Sequence, residues 1–520
     1  MVVISEAIIK VLRLAFVLVV AAGCLRYVAL SLHGPMIWDT PIIRYVNFLI
    51  DKGMKPYGQI TDLNMPGAYL AERWAMWSFG ASDLGCRLYE FFQLALLAVA
   101  AIIIAGRRLW FAGIYASGFF VLMHASEGPL LATERDELIM VLIVAGLALF
   151  LASMRLRVPY LMAPFGAMLG LAAAIKPTVA PLELLLLALA VVELRRRDEP
   201  WLGSVIWSLA GTGAIFGVVL RFLLRHHAIA SLLFLLRVVL PTYTALRHPG
   251  MGYLLRQLLP LPVLLVLPFG LAAMVSMRSW RGWEERAIAL GLATGLLSYL
   301  AQGKGFVYHR YLFLFLLLIF VGKALAASLA AEEQRTRTIG ALGVAVTLFL
   351  VLPFYVFLIP YAQRAGAHEA ELARTLEGDL SVLGVTRLDG KVQCFDLVSG
   401  CLNALYHLRL VQRTGFTGDL LLFSPANNRA ARYYRQLYWD TTRNDPPEVV
   451  VLGNEWFGGE YRSFDKVETW PDFATYLRDR YTLVQSRGFS PQLTASSGTH
   501  PEVPAYRIYL LKGSALLQNR

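Results

Sequence analysis

Long apolar runs separated by short polar ones repeat along residues 1–360, and each is roughly long enough to cross a bilayer core. The runs are Leu14–Leu32, Arg87–Ala105, Leu109–His124, Leu138–Ser153, Tyr160–Ile175 and Val179–Leu194, then Trp201–Leu224, Leu261–Met277, Ala287–Gln302, Tyr311–Leu329 and Ile339–Pro360. A helix satisfies its own backbone in lipid, so the pattern predicts an α-helical polytopic membrane protein with about eleven transmembrane helices. Between the first two runs the pattern changes. In "DTPIIRYVNFLIDKG" the apolar positions Ile42, Ile43, Val46, Leu49 and Ile50 form a helical stripe, with Thr40 and Pro41 as a start signal and Gly53 as a stop. "MPGAYLAERWAMWSFG" reads as a second amphipathic helix, rich in the interfacial residue Trp. Two helices lying in the outer interface would roof a site at the bilayer surface.

After Pro360 the periodicity changes again. "YAQRAGAHEAELARTLEG" reads as a short amphipathic bridge. Beyond it, strand-like runs ("KVQCFDL", "DLLLF", "PEVVVLG", "YRIYLLKG") alternate with helix-like ones ("CLNALYHLRLV", "NRAARYYRQLYW", "WPDFATYLRDRY"). That alternation predicts a small α/β domain. The chain thus divides into a membrane domain over 1–360, with its first external loop at 34–85, and an external α/β domain over 361–520.

Composition agrees: 57% of residues are hydrophobic, only 16% are charged, and mean hydropathy is +0.55. Basic pairs and clusters at Lys10/Arg13, Arg107/Arg108, Arg155/Arg157, Arg195–Arg197, Arg278/Arg281/Arg286 and Arg335/Arg337 fall at every second loop. By the positive-inside pattern the N-terminus is cytoplasmic and, with an odd number of spans, the C-terminal domain is external. Those anchors absorb much of the net charge of +12, and no nucleic-acid motif accompanies it. The first run lacks a clean small-residue cleavage site and reads as a retained helix. Four cysteines are too few for a disulfide scaffold; Cys394 and Cys401 lie in the external domain, where an oxidising compartment permits a bridge, and spacing leaves their pairing open.

Ionisable groups at membrane depth are costly and mark function. On the external side they gather in four places: Asp39 to Asp62 in the first loop, "ERDE" (Glu134, Arg135, Asp136, Glu137), Lys176 in "AAAIKPTVAP", and "QGKGFVYHRY" with Lys304, Tyr308, His309 and Arg310. A positioned carboxylate can take a proton from an attacking hydroxyl, and fixed cations can hold a phosphate leaving group. Asp39, Asp62, Glu134, Arg135 and Asp136 are therefore candidate catalytic residues. Lys176, Lys304, Tyr308, His309 and Arg310 are candidates for binding phosphate. Glu134 and Asp136 leave a divalent metal open as an alternative, but so few oxygens make a poor site, and no cofactor is required.

The ordered set "D-x-P…Y…G-x-x-P-Y…D-x-x-x-P", "ERDE", "KP" and "QGKGFVYHRY" resembles the GT-C class of membrane glycosyltransferases. The nearer branch is that of protein O-mannosyltransferases and the bacterial lipid A aminoarabinose transferase. The resemblance covers the whole membrane domain and leaves the external tail unassigned. It implies a bacterial inner-membrane enzyme that moves a sugar from a polyprenyl-phosphate or polyprenyl-diphosphate carrier to a glycan, lipid or protein acceptor, with inversion and with Asp39 as base. The alternatives are a polysaccharide polymerase or ligase, a lipid-linked substrate transporter or flippase, and an assembly subunit with a degenerate site. Against a transporter stand the one-sided charges and the lack of a repeat. A polymerase or ligase typically carries its large catalytic loop late in the chain, whereas this chain loads its acids into the first loop.

Overall fold

The computed structural model describes residues 4–245, 249–277, 282–396, 400–425, 428–455, 463–488 and 505–518. All eleven predicted runs are helical. Among the described residues, eight helices are long and apolar enough to cross a membrane, and nine if Met251–Leu258 and Leu261–Ser276, bent by 71°, form one span. The bend falls at Leu259–Pro260: Leu259 is extended (φ −118°, ψ 112°), as a residue before proline tends to be. Two predicted spans miss the test. Met162–Ile175 has only 14 residues, and Trp283–Gln302 opens on Glu284, Glu285 and Arg286.

Both nevertheless run between the same two polar ends. At one end Arg155 pairs with Glu284 (2.6 Å) and Lys323 with Glu285 (2.9 Å), and the Val158 amide bonds Ser153 just before Met162–Ile175 begins. At the other, Lys176 bonds both Asp136 and Gln302, joining the ends of three helices. The basic residues Arg278 and Arg281 lie outside the described residues.

Arg135–Leu156 and Val307–Leu329 form the centre of the bundle, with 83% and 89% of the residues in their apolar stretches buried, against 17% in Glu6–Ser31 and 22% in Leu202–Arg225. Glycines allow the closest approach: a Cβ at Gly211 would lie 1.9 Å from the Ala163 carbonyl, and one at Gly166 would lie 2.1 Å from that of Ser208.

The polar bridge is no separate short helix. It is the outer half of one 31-residue helix, Leu352–Val382, which carries the chain out of the bundle.

The strands, in chain order, are β1 Ile60–Thr61, β2 Val392–Phe395, β3 Gly415–Phe416, β4 Val449–Gly453, β5 Tyr481–Gly488 and β6 Ala505–Leu511. The external sheet has the order β2-β4-β6-β5, with β2 and β4 parallel and the other pairs antiparallel. The helices Cys401–His407, Arg429–Thr442 and Pro471–Arg480 complete it. "DLLLF" is a turn rather than a strand: the Phe423 amide folds back on the Asp419 carbonyl, which buries Leu422 and Phe423. β5 escaped prediction because "YTLVQSRG" alternates weakly and lies at the sheet edge. Cys394 and Cys401 are disulfide-bonded, with 6.0 Å between Cα atoms.

The first loop departs from its expected place. Nearly all of Asp39–Asp51 is buried, so protein rather than lipid covers its apolar stripe. Ile43, Tyr45 and Leu49 share one apolar core with Leu402, Leu405 and Leu410 of the external domain. β1 of the loop pairs in parallel with β3 of that domain. The second loop helix, Pro66–Phe79, buries Ala68, Tyr69, Ala71 and Ala75 and leaves Trp74 and Trp77 exposed.

Candidate active site

The Asp39–Asp51 helix starts one residue before its expected cap. Trp38 takes the cap position in a left-handed backbone region (φ 61°, ψ −123°) and supplies no side-chain cap. Thr40 turns its hydroxyl to the Ala132 carbonyl (3.2 Å) and to Thr133 Oγ1 (2.9 Å). The start of this helix is thus fastened to the segment that begins the Arg135–Leu156 helix, and Asp39 is brought onto "ERDE".

Arg135 donates from Nη2 to Asp39 Oδ2 at 2.7 Å and from Nη1 to Asn64 Oδ1. Asn64 donates to Asp62 Oδ2 (2.7 Å), which also accepts from the Tyr69 hydroxyl (2.7 Å). A chain of contacts therefore links the two acids of the first loop through Arg135. The Asp39 side chain remains 25% exposed, open to a second partner. Asp62 is almost wholly buried and held by two donors, the condition of a positioned group.

Asp136 faces the other way along the same helix end, onto Lys176, which also bonds Gln302 Oε1 (2.8 Å). His309 brings Nε2 to 4.0 Å from the second Asp136 oxygen, and its Nδ1 finds no partner. Burial holds the Lys176 ammonium below the usual lysine range, with Asp136 opposing that shift. Glu134 is buried with Oε2 unbonded. Burial, and then the neighbouring Asp39 carboxylate, push its carboxyl well above the usual carboxylate range.

Lys304 donates to the Tyr243 and Thr244 carbonyls (3.0 and 3.2 Å) and lies over the Tyr243 ring, 4.9 Å from its centroid. Tyr243 and the buried Tyr308 are both within electrostatic reach of Asp39 and Arg135. Arg310 is directed away, to Glu127 (3.4 Å) and the Gln257 carbonyl. Lys176, Lys304, Tyr308 and His309 thus join the acids at one end of the bundle, with Arg310 at its margin. No group of three or more metal-ligating side chains assembles among the described residues. Asp136 is taken up by Lys176 and Asp39 by Arg135, so these acids face cations rather than one shared point.

Sequence reasoning passed over Asn64 and Gln302, although Asn64 falls inside "D-x-x-x-P" and Gln302 closes an apolar run, where an amide is a usable signal. It also passed over Glu90 and His124, which look like isolated polar residues in apolar runs. In the structure Glu90 accepts from Tyr27, Arg87 Nη1 (2.9 Å) and His124 Nε2 (3.1 Å). Arg44, counted among the external charges, is a buried partner of Glu72 (2.6 Å).

Among solved structures the chain is similar to ArnT from Cupriavidus metallidurans bound to undecaprenyl phosphate. The match has 15% identity and a TM-score of 0.53, and it covers 96% of this chain and 98% of that one. The chain has an ArnT-like, GT-C-type fold. ArnT in the apo state matches equally, with 14% identity, a TM-score of 0.53, and 95% and 97% of the two chains covered. The archaeal oligosaccharyltransferase AglB from Archaeoglobus fulgidus, solved with an inhibitory peptide and a dolichol-phosphate, superposes more loosely, with 12% identity, a TM-score of 0.48, and 85% and 69% covered. No protein-family model matches the chain, and no curated protein does. The ArnT likeness extends over the external domain, which the sequence motifs had left unassigned.

Proposed function

We propose that this protein is an inverting glycosyltransferase of the bacterial inner membrane, working on the external face with a polyprenyl-phosphate or polyprenyl-diphosphate sugar. The observation that carries the reading is the adjacency of two ion pairs at one open bundle end, Asp39 with Arg135 and Asp136 with Lys176. Asp39, oriented through one oxygen by Arg135, takes the proton of an acceptor hydroxyl. The hydroxyl oxygen attacks the anomeric carbon from the face opposite the carrier. The carbon–oxygen bond to phosphate breaks, and the lipid phosphate leaves with the electron pair. Lys176 and Lys304 are the cations near enough to stabilise that charge, Lys176 by exchanging Asp136 for phosphate, and His309 can add a ring hydrogen bond. The fold shared with a protein solved with undecaprenyl phosphate supports the carrier class. The Met162–Ile175 and Trp283–Gln302 helices count as crossings in this reading, which gives eleven spans, a cytoplasmic N-terminus and an external C-terminal domain.

Binding of undecaprenyl phosphate to the purified protein tests the donor site. Lys176→Ala or Lys304→Ala should weaken it by roughly 1–3 kcal/mol, the scale of a lost charged hydrogen bond. Equal affinity in both variants and the parent would count against a phosphate site here.

A further inference from the structure

The external domain grips the first loop on both sides of its acids. At Met36, three residues before Asp39, the carbonyl accepts from Asn403 Nδ2 (2.9 Å), while the amide donates to Asp83 Oδ1 (3.3 Å). Within the Asp39 helix the fully buried Tyr45 hydroxyl donates to the Leu410 carbonyl (3.0 Å) and accepts from the Gln412 amide (2.9 Å). Just before Asp62, Thr417 Oγ1 donates to the Thr61 carbonyl (2.9 Å) beside the β1–β3 pairing. A Cβ at Gly415 would meet the Gln59 carbonyl at 2.1 Å, so only glycine admits this approach.

Two features separate this contact from ordinary domain packing. Asn403 is 4% exposed and its Oδ1 finds no hydrogen-bond partner. A half-satisfied buried amide costs stability, so an apolar side chain would pack this joint better if stability were its only role. Trp38, between Met36 and Asp39, holds a backbone conformation that side-chain-bearing residues rarely adopt. Such strain persists only where the surroundings over-determine it, and it collects at functional sites.

We infer that the external domain is a working part of the transfer site, with Asn403 and Thr417 as positioning residues that set the Asp39 and Asp62 segments relative to Arg135. The inference rests on the transferase reading for its catalytic consequence and on the contacts themselves for its structural one. Both residues bond backbone carbonyls of the loop, Asn403 that of Met36 and Thr417 that of Thr61. Each acts by fixing the backbone from which a carboxylate projects, and small errors in such placement are expensive for rate while leaving remote binding intact.

The test uses the full chain, reconstituted, with Asn403→Leu and Thr417→Val, which keep volume and remove the hydrogen bond. Both variants should bind undecaprenyl phosphate like the parent and keep its thermal midpoint, while kcat falls about 10- to 100-fold and the donor KM stays put. Hydrogen exchange should rise at amides 37–40 in Asn403→Leu and at 60–64 in Thr417→Val, with β4 protection unchanged. Unchanged kcat together with unchanged exchange would overturn the inference. So would a loss spread evenly over the external domain, which marks a merely structural joint. If the parent protein transfers no lipid-linked sugar, the transferase reading fails by itself, and the exchange data still judge the grip.

Discussion

Two charge clusters lie close together at the same end of the bundle and both pair carboxylates with basic side chains, yet they behave differently. In the inner one, Arg87, Glu90, His124 and Glu137 are all within about 1% of complete burial. Glu90 is saturated by Tyr27, Arg87 and His124, and Arg87 spends its remaining donors on the Gly34 and Pro35 carbonyls. In the outer one, Asp39 and Arg135 are 25% and 32% exposed, and Asp136 and Lys176 are 11% and 17% exposed. The inner cluster leaves Glu137 Oε1 unbonded yet is sealed from solvent, and a sealed cluster admits no ligand. Its service is to hold the segment that leads to Asp39. The outer cluster keeps its acids partly wet and thinly partnered, which proton transfer requires. Burial, more than the presence of paired charges, distinguishes frame from site.

The contrast is broken most severely by removing charge from the sealed cluster. Glu90→Gln strands Arg87 in a dry environment and should cost about 3–5 kcal/mol, read as a large fall in thermal midpoint or failure to purify. A variant as stable as the parent would remove the cluster from the frame. The complementary change in the open cluster, Lys176→Ala, should leave the midpoint close to that of the parent. Its effect belongs in donor affinity, a loss of about 10-fold by titration with undecaprenyl phosphate. If instead Lys176→Ala unfolds the protein, the two clusters do not differ as argued.

Smaller effects sharpen the role of the external domain. Replacing Cys394 and Cys401 together by serine opens a short loop at the base of the helix that carries Asn403, and should cost about 2 kcal/mol. Chemical unfolding of the external domain would register it, and an unchanged midpoint would make the bridge incidental. His407, between Glu377 (2.6 Å) and Asp83 (3.5 Å), is raised to about 9 by its hydrogen bonds to those acids, that to Asp83 first. A raised folded pKa gives stability that is complete below the ordinary value near 6.5 and is lost as pH rises through about 9. Solvent screening limits the effect to about 1 kcal/mol. Stability should therefore decline from pH 6.5 to 9, and His407→Gln should flatten that decline; an equal slope in the variant would refute the assignment.

The sequence exposes the helical frame well because apolar runs near 20 residues have few other uses, and the ordered motifs implied the GT-C-type fold. Two predicted spans fall short for local reasons: Met162–Ile175 has only 14 residues, and Trp283–Gln302 opens on Glu284, Glu285 and Arg286. The site was legible where charge broke an apolar pattern, as at Lys176 and "ERDE". Direction was not legible: nothing in "QGKGFVYHRY" tells that His309 faces Asp136 while Arg310 turns to Glu127. Nor could periodicity show that the stripe on Asp39–Asp51 meets the external domain instead of lipid, because either partner asks for the same apolar face.

Transfer by Asp39→Asn tests the central claim most directly. The substitution keeps the side chain's size and its place beside Arg135 but removes its capacity to take a proton at neutral pH. A reconstituted Asp39→Asn protein with a parental thermal midpoint and parental affinity for undecaprenyl phosphate should lose transfer by about 10²-fold or more, the scale of a general base. Full transfer by that folded, lipid-binding variant would contradict the account and move the search for the base to Asp62.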